Sequence, residues 1–243
     1  MRADRIETLA DEFWERAGLT GTLPRDLEGA VPLAAPVAVV RLGELRPLTV
    51  RRWCLRQGIR LPLDVRDRPL DGCVVAYRGR AVIFLEAGLA ADQGRVILAH
   101  ELGHFLADYE WPRRRVLLRL GPSVLPVLDG DRPPSGAEEL AGVLAGVPLG
   151  AHAHFMERGF DPRSTAATAR AERIASALAC ELLAPRRAVR GVAAARRLPD
   201  SPDSWVPLLR DEFGLPESWA AEYAARLLRR QTRGRTFTDL LGL

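Results

Sequence analysis

Two apolar runs, Cys73 to Tyr77 and Ala81 to Leu85, flank Arg78-Gly79-Arg80, and a helical stripe follows almost at once. No other feature constrains the fold of this chain as tightly. The spacing and the turn residues predict a β-hairpin. Downstream, Val96, Ile97, Ala99, Leu102, Phe105 and Leu106 recur at helical spacing and cover a broad face. Asp92 is placed to cap that helix and Trp111-Pro112 to end it. The order predicts an α+β fold in which a small, antiparallel-rich sheet packs on this helix.

The flanking segments read mainly as helices. Ile6, Leu9, Ala10, Phe13, Trp14 and Ala17 form a stripe closed by Gly18. Residues 20–48 are rich in Pro and Gly and contain one strand-like run, Pro36 to Val40. Thr49 is placed to cap a brief helix through Gln57 that Gly58 ends. Residues 112–136 read as a long excursion with at most a short strand at Val116 to Leu120, the kind of loop that covers a site. A second long helix runs from about Thr165 to Leu183 and breaks at Pro185, with Ile174, Ala177, Leu178, Leu182 and Leu183 inward. A Pro-Asp-Ser-Pro-Asp-Ser linker at 199–204 leads to a helical tail carrying Leu208, Leu209, Phe213, Trp219, Tyr223, Leu227 and Leu228. The expected organisation is an N-terminal helical segment over 1–30, a central domain over 31–190 and a C-terminal helical extension over 199–243.

Composition narrows the setting. With 243 residues and 47% hydrophobic content the chain can bury one sizeable core. No apolar run reaches the roughly 18 residues of a membrane span, and Asp4, Glu7, Asp11, Glu12 and Glu15 occupy the place of a signal peptide, so a soluble cytoplasmic protein is expected. Cys54, Cys73 and Cys180 are far apart among apolar neighbours and read as reduced core thiols. The charge of +4 arises from 35 basic residues, all arginine, interspersed with 31 acids. That pattern is a solvated surface rather than a nucleic-acid face. The same holds for Arg51, Arg52 and Arg56, which are expected to be solvated beside a buried Trp53 rather than set in a DNA groove.

The chemistry is concentrated at His100-Glu101-Leu102-Gly103-His104. The i, i+4 spacing puts both imidazoles on one helix face, where two nitrogens can grip one zinc ion. Glu101 stands one residue around, placed to take a proton from a water at the metal. A catalytic zinc needs a third protein ligand. The nearby positions that would supply one in a metzincin are Ala107 and Glu110, which do not fit. Asp108 reads as a supporting or surface acid. Glu172, on the second long helix with the small Ala175 one turn on, suits a His2Glu site; the alternative is a solvated acid near a helix start.

Two blocks of this sequence resemble the ImmA/IrrE family of zinc metallopeptidases. Ile97 to Leu106 is similar to the family's AHELGH helix, and Glu172 to Pro185 is similar to the helix whose leading glutamate completes its metal site. The resemblance spans about Cys73 to Pro185. It implies a zincin-like fold, His100, His104 and Glu172 as ligands of zinc (or manganese), and Glu101 as general base. Asp108, Ser176 and Leu178 depart from the family's usual His, Asn/Asp and Phe, and the interval between the blocks is long. Family members commonly act on DNA-binding repressors, so a helix-turn-helix regulator is the implied protein substrate.

Several roles stay open at this stage. Tyr77, Tyr109, His152 and His154 can each donate to an oxyanion, and His152 and His154, read as lying near a helix end, are expected to be structural or exposed. The strand Ala81 to Leu85 is placed to pair with an extended substrate by its edge. The competing readings are a non-proteolytic zinc protein that grips a transcription factor, and a DNA-binding regulator.

Overall fold

A computed structural model describes residues 3–19, 21–61, 67–140, 144, 146–157 and 165–234. The chain order begins with α1 (Ala3–Ala17), α2 (Leu27–Ala34), β1 (Val37–Leu42) and α3 (Pro47–Arg56). The hairpin β2 (Leu70–Tyr77) and β3 (Arg80–Glu86) then feeds α4 (Ala91–His104). A π-helical turn (Phe105–Glu110) joins α4 to α5 (Trp111–Leu120), and a 3-10 turn (Pro122–Val124) leads to α6 (Leu125–Leu128) and α7 (Gly136–Leu140). After β4 (His152–Glu157) come α8 (Ala166–Leu183), α9 (Arg186–Ala195), α10 (Pro202–Asp211) and α11 (Glu217–Gly234). Helices and one open sheet make this an α+β fold, as the sequence predicts.

The sheet order is β1-β3-β2-β4, with β1 parallel to β3 and the other two pairings antiparallel. Alternation sorts its side chains. Val74, Ala76, Ile83 and Leu85 join the main core with α4, whereas Cys73, Val75 and Phe84 face a smaller core with Val50 and Cys54 of α3. The hairpin closes through Arg78 and Gly79, at φ 51° and 78°, a turn whose twist matches that of the strands. Both edges of β3 are taken, by β1 and β2, which corrects the expectation that Ala81 to Leu85 offers an edge. The edges of the sheet are β1 and β4.

Other expectations need correction. The segment read as a Pro/Gly connection contains α2, whose start is capped by the Asp26 carboxylate accepting from the Gly29 N–H at 3.0 Å. α3 starts two residues before Thr49, because Pro47 supplies the fixed φ of a first turn. α4 starts after Ala90 without a side-chain cap, and Asp92 lies within its first turn, where it complements the helix dipole. Trp111-Pro112 does not end the helix. The wide π turn precedes Pro112, which falls in the first turn of α5, where its missing N–H costs nothing. Val116 to Leu120 is therefore helical, and Val116, Val124, Val127 and Leu128 build a satellite core rather than a loose loop.

The main core runs from Phe13 and Trp14 of α1 through α4 and α8 to Trp205, Leu209, Phe213 and Tyr223 of α10 and α11 and the turn between them. The Trp14 Nε1–H donates to the Leu182 carbonyl at 3.0 Å, fixing α1 to the end of α8. Cys54, Cys73 and Cys180 are buried and unpaired. Arg51, Arg52 and Arg56 are exposed, and Trp53 is half-buried edge-on to Phe84. Among the described residues no helix is long and apolar enough to cross a membrane. Residues 235–243 of the expected helical tail lie outside the described residues.

α4 and α8 meet at Gly103. A Cβ there would lie 2.8 Å from the carbonyl oxygen and 3.1 Å from the Cα of Ala175, both backbone atoms that cannot swing aside. Gly103→Ala is expected to force the helices apart at a cost of about 1–3 kcal/mol. A melting curve followed by circular dichroism should show Tm lowered by several degrees, and an unchanged Tm would mean that the helices are not in backbone contact.

Candidate metal centre

The close crossing of α4 and α8 sets the separation of their polar residues. His100 and His104 lie on one face of α4, 2% and 1% exposed, with their Nε2 atoms 3.1 Å apart. Three residues before Ala175, Glu172 sends Oε2 to 3.2 Å from His100 Nε2 and 3.8 Å from His104 Nε2. These three residues bring one ligand atom each within 4.8 Å of one another. A tetrahedral shell with bonds of about 2.0–2.1 Å holds its donors about 3.3 Å apart, so the spacing fits a small divalent cation.

The outer ring atoms agree with that fit. His104 Nδ1 lies 2.7 Å from Asp108 Oδ2, and because a carboxylate only accepts, Nδ1–H donates and Nε2 is the nitrogen that faces inward. His100 Nδ1 has Ser176 Oγ at 3.4 Å. Asp108, a supporting or surface acid in the sequence reading, thus orients the His104 ring.

Glu101 is fully buried. It points toward β2 at Gly72, where a Cβ would collide with Ile97 and reach to 3.1 Å of Glu101 Cγ, so the strand can approach the carboxylate only as glycine. Its Oε2 lies 3.4 Å from His154 Nδ1, while Oε1 is buried without a hydrogen-bond partner. A carboxylate oxygen left unmatched in the interior is costly and calls for a partner.

His154, only one of four possible donors in the sequence and expected to be structural or exposed, is placed differently by the structure. It lies on β4, not near a helix end, and pairs with Val74 so that its side chain faces α4. Its Nε2 stands 2.6 Å from Glu172 Oε1, and its ring stacks on that of His104 at 3.5 Å. His152 shares that face and stacks at 6.3 Å on Tyr109. All four histidines of the chain therefore gather at one locus. The signal was available: the alternation His152-Ala153-His154 places both rings on one face of a strand. The two tyrosines are engaged elsewhere. Tyr109 OH accepts from the Gly79 N–H and Tyr77 OH accepts from Arg78 Nε.

The protonation shifts at His154, His104 and Glu172 favour ion pairs. Burial alone would lower His154, but Glu101 and Glu172 on either side outweigh it and hold its pKa up at about 10. Burial likewise opposes the rise at His104, which Asp108 and Glu172 carry. Burial would raise Glu172, yet His100, His104 and His154 hold its carboxyl far below the ordinary range. The carboxylates call for positive charge among the imidazoles; protons meet that call in the metal-free protein and a cation would meet it in their place. His152 is lowered by burial, which outweighs the opposing pull of Asp108.

In comparisons with known proteins, no family model and no curated protein matches this chain.

The purified protein is expected to bind one equivalent of zinc, with Tm rising as the metal is added and falling with a chelator. At a free concentration one hundred times Kd the gain is about 2.7 kcal/mol. His104→Ala should remove both the binding and the shift in calorimetric and melting titrations.

Proposed function

We propose that this chain is a zinc-dependent peptidase of zincin-like fold, with His100, His104 and Glu172 holding the metal and Glu101 as general base. The observation that carries the reading is the buried Glu101 carboxylate, one oxygen unpartnered, set beside three donors at metal-ligand spacing. A divalent ion held there supplies Lewis acidity, which makes water nucleophilic near neutral pH and polarises a carbonyl.

The chain's own residues do the rest. Glu101 takes the proton of the attacking water and delivers it to the departing amine, and its burial keeps that proton from bulk solvent. Asp108 and Ser176 fix the two imidazole planes from behind. β4, bordered only by β2 among the described strands, offers its outer backbone to an extended peptide beside Glu172. The substrate class follows from the resemblance alone: a helix-turn-helix repressor, cut or inactivated in the cytoplasm. Manganese is the second metal to try.

Glu101→Gln keeps the shape of the side chain and removes its basicity. With zinc bound at the same stoichiometry, this variant is expected to cleave a protein substrate about 10²–10⁴-fold more slowly than the unaltered chain. The measurement is fragment release by mass spectrometry from the repressor encoded nearest its gene. Equal rates for the two proteins, or no cleavage by the zinc-loaded unaltered chain, would leave the metal with a structural role.

A further inference from the structure

The two oxygens of Glu172 are not equivalent. Oε2 faces the Nε2 atoms of His100 and His104, whereas Oε1 meets His154 Nε2 at 2.6 Å. Glu172 needs such a partner, because its side chain is 39% exposed while both histidines are buried. A half-buried glutamate on a helix can take several staggered rotamers unless a partner fixes one of them.

His154 is itself firmly placed. Its backbone is in register with Val74 in the sheet, and its ring lies nearly parallel to that of His104, with 22° between the planes. The stacking aims one edge of the ring at Glu172. It also leaves neither nitrogen of His154 among the converging donor atoms: Nε2 is engaged by Glu172 and Nδ1 turns toward Glu101 at 3.4 Å.

From this division of labour we infer that His154 is a positioning residue, which holds Glu172 through Oε1 so that Oε2 alone is presented as a one-oxygen ligand. The strand that borders the site thereby carries the bond that sets its third ligand. The inference rests on the metal centre of the proposed function and not on its peptidase activity.

The test is zinc affinity, measured by competition with a chromogenic chelator, in the full chain and in three variants. His154→Ala and His154→Phe remove the donor and are expected to raise Kd for zinc about 10–100-fold. Phe keeps a flat ring over His104, so a common loss in both variants separates the hydrogen bond from the stacking. His154→Gln can bring an amide N–H to the place of Nε2 and is expected to recover most of the affinity. X-ray absorption of the zinc-loaded unaltered chain should count two imidazoles. An unchanged Kd in His154→Ala, a His154→Gln variant as weak as His154→Ala, or a third imidazole on the metal would each overturn the assignment. Zinc-binding results stand whether or not cleavage is seen, so a failure of the peptidase reading is told apart from a failure of this one. Absence of zinc binding by the unaltered chain would end both.

Discussion

The backbone contact between α4 and α8 decides where everything else can be. Because residue 103 carries no side chain, the carbonyl of Ala175 comes to within touching distance of the helix that holds His100 and His104. Only at that separation can a side chain as short as glutamate, three residues earlier on α8, reach the imidazole pair. The motif's second variable position is therefore a steric requirement in this protein. Its glycine has an ordinary helical conformation, so backbone freedom is not what the position needs.

A second constraint acts from the other side. Gly72 lets β2 lie against Glu101, and the pairing of β4 with β2 brings His154 into reach of both carboxylates. Glu101 is thus enclosed between a helix and a sheet, in an environment where an unmatched oxygen is expensive. Burial of this kind concentrates charge. His104, His154 and Glu172 are displaced toward forming ion pairs, and the interior dielectric strengthens those attractions.

What the sequence made legible follows from how local the signal was. The hairpin, α4 and α8 carry strong periodicities of their own, so their places could be read directly; His100 and His104 followed from their i, i+4 spacing, whereas Glu172 was told apart from a solvated acid mainly by the family resemblance. α2 was hidden because Gly29 and Pro32 obscure an eight-residue helix whose cap, Asp26, is an ordinary-looking loop acid. α5 was hidden because Pro112 normally stops a helix, and nothing local announces a wide turn that accommodates it. His154 was hidden for a different reason. Its role comes from pairing with a strand some eighty residues earlier, a contact that exists only once the sheet has formed.

The wide turn from Phe105 to Glu110 also separates two rotational settings. An α-helix advances about 100° per residue, and a turn that accommodates one extra residue offsets everything beyond it by about that angle. His104 stays aimed inward while α5 is dialled independently, so that Arg113 faces Asp129 and Leu118 faces outward. The helical rod is continuous but its two halves are set at different azimuths, so the distal half takes its own facing without turning the face that carries His100 and His104.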